Sequence, residues 1–121
     1  MNRENTKKLN DEFEFFHPEL PPTENLMCFG FECDDGWFDL IWKLCEDIRT
    51  ELKVNPMDFL VMQVKEKFGG LRFYPGFASD KIFDLIDEAE EKSYEICETC
   101  GKPGKITGGN WVKTSCEKCL I

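Results

Sequence analysis

Between Trp37 and Leu52, apolar residues return every three to four positions, at Trp37, Ile41, Leu44, Cys45, Ile48 and Leu52, while Asp39, Lys43, Asp47, Thr50 and Glu51 take the other side. That spacing lines one face of a helix and predicts an amphipathic helix from Trp37 to about Leu52. Phe38 and Trp42 widen the stripe, which fits either burial on two sides or aromatics offered to a partner. From Phe59 to Phe77 the period falls to two. Leu60, Met62 and Val64 alternate with Val61, Gln63 and Lys65, and Phe68-Gly69-Gly70 divides this run from Leu71-Arg72-Phe73-Tyr74, which stops at Pro75-Gly76. This predicts a β-hairpin with Leu60, Met62 and Val64 on its apolar face and the two glycines supplying the positive φ of a tight turn. A phosphate-cradling loop would need a helix to start after the glycines, and a strand follows instead. Helical spacing resumes from Ser79 or Asp80 to about Ile96, with Ile82, Ile86, Ala89, Ser93 and Ile96 inward and Phe83 and Leu85 beside them. Asp84, Asp87, Glu88, Glu90, Glu91 and Glu95 crowd its other faces, against only Lys81 and Lys92.

The first quarter is less regular. Leu9, Phe13 and Phe16 stand at i, i+4 and i+7, which permits a short helix docking by its aromatic edge. His17-Pro18 and Pro21-Pro22 then break any helix, so residues 1–25 are expected to form an irregular N-terminal segment. His17 is the only histidine, and a histidine before proline reads as a loop residue; proton-shuttling pairs have no second member. Asp34 or Asp35 is placed to cap the Trp37 helix, satisfying free N–H groups at its positive end. Cys28 and Cys33 have the wrong separation for a metal knuckle, and with Cys45 they are expected to be buried thiols.

The last stretch carries the chemistry. Cys97-x-x-Cys100 and Cys116-x-x-Cys119 are separated by fifteen residues, the spacing of a four-thiolate zinc site. Disulfides, iron or a redox dithiol are the alternatives. Gly101 allows the first pair a sharp turn, and Thr114-Ser115 are expected to cap a short helical turn holding Cys116 and Cys119. Four thiolates leave no open coordination position, so the expected role of Zn2+ is structural.

Composition narrows the function classes. The 121 residues, 41% hydrophobic, suffice for one core with a small appendage, and carry a net charge of −9. From Cys97 onward four lysines face two glutamates, leaving −11 on residues 1–96. The chain as a whole is therefore a poor match to nucleic acid, although Lys102, Lys105 and Lys113 with Trp111 for stacking give a nucleic-acid-binding module as the alternative reading. No run is long enough to span a membrane, the polar N-terminus has no export signal, and seven cysteines without one point to the reducing cytoplasm. For an enzyme, Asp34, Asp35, Glu66 and Arg72 form the only polar cluster to consider, and their spacing demands no shared site.

The combination of Asp35-Gly-Trp-Phe-Asp-Leu40, Val64-Lys-Glu-Lys-Phe-Gly-Gly-Leu-Arg-Phe-Tyr74 and Cys97-x-x-Cys100-Gly101-x-Pro103-Gly104 resembles small uncharacterised proteins carried by bacteriophages and prophages. The resemblance spans most of residues 33–119, and its most specific part is the hairpin. It carries over no catalytic residue and implies an accessory protein acting in a bacterial cytoplasm on a host or phage protein. The expectation is an α+β fold: a hairpin or small antiparallel sheet packed with two helices over residues 26–96, and a treble-clef-like or zinc-ribbon-like unit over 97–121. The expected function is non-enzymatic binding of a protein partner, with Glu88, Glu90, Glu91, Trp37 and Trp42 making the contact.

Overall fold

In a computed structural model, which describes residues 1–120, the periodic segments become helices and the alternating ones a hairpin. The elements are α1 (Arg3–Glu12), β1 (Phe31–Glu32), α2 (Phe38–Val54), β2 (Val61–Lys67), β3 (Gly70–Pro75), α3 (Asp80–Ser93), β4 (Lys105–Thr107) and β5 (Lys113–Ser115). The fold is α+β. One sheet has the order β1-β2-β3, with β1 parallel and β3 antiparallel to β2; the other is the two-stranded β4-β5 ribbon. A single buried cluster joins Ile41, Leu44 and Ile48 of α2 and Ile82, Ile86 and Ala89 of α3 to Phe31, Val64, Leu71 and Phe73 of the sheet. No helix among the described residues is long and apolar enough to cross a membrane.

Two expectations change at this level. The apolar face of β2 carries Val61 and Val64, not Leu60, Met62 and Val64. Val61 pairs with Pro75 and Gln63 with Tyr74, so Met62 is an extra residue in the ladder. A bulge of this kind resets the two-residue alternation and turns positions three apart to one side.

The description of residues 1–25 as irregular holds only beyond Glu12. Asn2 caps α1, its side chain accepting from the Asn5 N–H at 2.8 Å. Leu9, Phe13, Phe15 and Phe16 all enter the main core. Phe13 meets Trp42 edge-on at 5.0 Å, and Arg49 of α2 lies 4.7 Å from the Phe13 ring while pairing with Glu12 at 2.6 Å. Burying three phenylalanines is worth several kcal/mol, which outweighs ordering a ten-residue helix that would be marginal alone. After α1, the buried Asn25 replaces regular structure as the tie: its side-chain amide donates to Phe16 O at 2.9 Å and also to His17 O and Val61 O.

Candidate metal centre

The four sulfurs of Cys97, Cys100, Cys116 and Cys119 lie within 4.8 Å of one another, and those of Cys100 and Cys116 are 3.6 Å apart. A tetrahedral ion with bonds of about 2.3 Å to sulfur needs sulfur–sulfur separations of about 3.8 Å. The cluster is consistent with a zinc knuckle, and all four sequence-derived ligands are brought together. Cys97 follows the end of α3. Gly101, at φ +82°, turns the chain so that its N–H meets Cys97 O at 2.9 Å, as the Cys-Gly pairing predicts. Cys116 follows β5 and precedes a 3₁₀ turn, Glu117–Cys119, that ends on Cys119. The expected cap from Thr114 or Ser115 is not made. Thr114 Oγ1 donates instead to Gly69 O at 2.6 Å, because β5 carries Thr114 against the hairpin tip.

The thiols differ in how readily they give up their protons. Burial acts to raise the Cys97 pKa, yet backbone N–H groups of Cys116, Cys100 and Thr99 outweigh it and lower it to about 6. The backbone N–H of Cys119 leads in lowering Cys116. Cys119, hydrogen-bonded to Cys116 and its neighbours, is raised to about 12. Four thiolates at this distance repel one another until a divalent cation sits among them, which is the general reason such clusters load metal with loss of protons.

The unit is held in a socket of backbone. Gly36 N donates to Glu98 O at 2.7 Å, Glu98 N to Thr114 O at 3.1 Å, and Gly104 N to Glu95 O at 2.9 Å. Asp34 N donates to the Glu98 carboxylate at 3.0 Å. The Gly36 Cα passes so close that an added Cβ would lie 2.2 Å from Cys97 O. On the far side, Gly69 and Gly70 of the hairpin tip pack against Val112, Thr114 and Tyr94. The Asp35-Gly36-Trp37 turn, the Phe68-Gly69-Gly70 turn and the first cysteine pair are thus parts of one contact surface. Sequence reasoning assigned Gly36 no role; its place between two acids and a tryptophan gave no periodic signal.

Other candidate residues are dispersed. Trp37 is 0% exposed and its indole N–H donates to Ile96 O at 2.9 Å, so it is a core anchor rather than a partner contact. Trp42 is half-buried against Phe13 and Phe38. Widening of the apolar stripe reflects burial on two sides. Glu90 is half-buried and pairs with Arg72 at 2.6 Å, whereas Glu88 and Glu91 are exposed. Asp35 does not cap α2; its carboxylate reaches back to the start of α1, accepting from Asn2 N at 2.8 Å and the Asn5 side chain at 3.1 Å, which lowers its pKa. Glu66 binds Gly69 N at 2.7 Å. Of the enzyme cluster, Asp35, Glu66 and Arg72 are thus each engaged in a separate structural bond, and Asp34 bonds through its backbone N–H.

Lys102 and Lys105 are exposed, Lys113 is half-buried, and Trp111 is exposed. Cys33 and Cys45 are buried as expected, but Cys28 is exposed, since the 3₁₀ turn Met27–Phe29 buries only Met27. No protein-family model, curated protein or solved structure matches the chain.

Proposed function

We propose that the protein is a zinc-stabilised, non-enzymatic binding module: a phage-type accessory factor that engages a basic segment of a host or phage protein in the bacterial cytoplasm. The observation that carries this reading is the solvent face of α3. Asp84, Asp87, Glu88 and Glu91 stand at i, i+3, i+4 and i+7, all are exposed, and none forms an ion pair among the described residues. Unpaired like charges on one helix face repel each other and attract a cationic partner at long range. The closed four-sulfur set supports a structural ion, and the separate bonds of Asp35, Glu66 and Arg72 support binding over catalysis.

Charge also weighs against the nucleic-acid reading. The segment from Cys97 onward has two positive charges in excess, and a divalent ion with four thiolates contributes two negative ones. Metal loading leaves the segment that carries Lys102, Lys105 and Lys113 without the net positive charge that a polyanionic backbone requires.

The test is calorimetric titration of the metal-loaded chain with a lysine-rich peptide at low and high salt, after elemental analysis for zinc. Binding that weakens with salt and is lost on joint Glu88→Lys and Glu91→Lys substitution is the expected result. Binding unchanged by that charge reversal refutes the α3 contact.

A further inference from the structure

Two large aromatics stand in water beside the metal centre. Trp111 is 80% exposed and Phe68 69% exposed, and both line one cleft of about 380 Å³ together with Val112 and Asn110. Neither side chain stabilises the fold from there, yet both are presented by constrained backbone.

Lys67 pairs with Gly70, so Phe68-Gly69 is a two-residue turn with φ of +54° and +84°. Asparagine or glycine suits the first of these positions; a phenylalanine there is strained and gains no burial in return. The turn is clamped by Glu66 on Gly69 N and by Thr114 on Gly69 O. Trp111 rises from the loop between β4 and β5, where Gly108, at φ +129°, leaves no room for a Cβ, which would lie 2.2 Å from Trp111 O. Strain kept without internal return marks a position selected for external contact, and exposed Trp is the side chain most often energetically dominant at interfaces.

The rim fixes the chemistry of the occupant. Lys67 borders the cleft with its ammonium 5.7 Å from the Phe68 ring, and Lys113 borders a second hollow that shares Trp111 with it. Neither lysine forms an ion pair among the described residues. The one carboxylate on the cleft, Glu66, is occupied by Gly69 N. We propose that the cleft between Phe68 and Trp111 docks a peptide segment of a protein partner that inserts a bulky apolar side chain between the rings and sets carboxylates beside Lys67 and Lys113. The site rests on the protein-binding reading but is separate from the α3 face and takes the opposite charge.

The test is an NMR titration of the metal-loaded chain with three probes: the blocked peptide Asp-Glu-Leu-Phe-Asp-Glu, its counterpart with lysine for each acid, and an oligothymidylate. The acidic peptide is expected to shift the Trp111 indole N–H and the Gly69 amide saturably, leaving the Glu88 and Glu91 amides in place. Phe68→Asn and Trp111→Ala should each weaken this at least tenfold, and Phe68→Asn should also raise the melting temperature by relieving the turn, which separates lost contact from lost fold. Joint Glu88→Lys and Glu91→Lys should leave the acidic peptide bound even where it abolishes the lysine-rich peptide, so the two readings fail independently. No saturable shift, binding left unweakened in both aromatic variants, or binding of oligothymidylate in place of the acidic peptide overturns the proposal.

Discussion

Gly36 tolerates no side chain. Its Cα faces the carbonyls of Cys97 and Glu98, backbone atoms that cannot swing aside, so Gly36→Ala must either open the socket or displace the cysteine pair. The expected cost is about 2–4 kcal/mol, read as a lower urea midpoint, together with weaker metal retention against a chelator. The remaining thiols separate by the same logic of access. Burial, with Glu98 nearby, pushes Cys33 up to about 12, and burial pushes Cys45 well above the ordinary thiol value. A thiol held protonated and out of solvent reacts slowly. Alkylation of the native metal-loaded chain followed by mass spectrometry should therefore label Cys28 first, with Cys33 and Cys45 modified only on unfolding. Equal labelling of the three would contradict the burial pattern.

At the scale of elements, a single carboxylate ties down the start of α1. Asp35 accepts from the Asn2 backbone and the Asn5 side chain, and that leading backbone bond holds its pKa below the ordinary carboxylate value. A depressed carboxylate contributes stability that is complete above its unfolded pKa and disappears as pH falls through the folded value. Asp35→Ala should cost about 1 kcal/mol at neutral pH, and the gap to the parent chain should begin to narrow below about pH 4 and close as pH falls through the lower folded value. A gap that stays constant across a pH series of thermal melts would show that the bond is not the cause. Which elements could be read in advance follows from the range of the forces that make them. α2 and α3 were legible because Ile41, Leu44, Ile48 and Ile82, Ile86, Ala89 repeat with the helix itself. The four ligands were legible because two residues fix each pair. The two-residue β1 and the Asn25–Val61 bond were not, since each depends on a partner more than thirty residues away, and the Met62 bulge is set by its pairing with β3. Trp37 and Glu90 were misplaced for a similar reason: their partners, Ile96 and Arg72, are contacts of tertiary structure.

For the molecule as a whole, the knuckle is a clasp more than an appendage. It bonds to the turn before α2, to the end of α3 and to the tip of the β2–β3 hairpin. The free energy of a structural zinc, about 10–16 kcal/mol in small fingers, matches or exceeds the stability of an ordinary domain. Chelation or Cys100→Ser should accordingly lower the melting temperature of the entire chain and release protection from the Gly69 and Leu71 amides in hydrogen exchange. Loss confined to residues after Cys97 would make the knuckle an independent unit. The clasp also sets an order of events. On the ribosome the hairpin tip and the Gly36 turn are complete well before Cys116 and Cys119 are made, and the N-terminal parts begin to fold first. They must then wait, with Trp37 lacking the Ile96 carbonyl and Gly69 lacking Thr114, until the last sulfurs arrive. A nascent chain of this protein is therefore expected to keep these contacts open until its last cysteines emerge, and to close them as the four-sulfur site is filled.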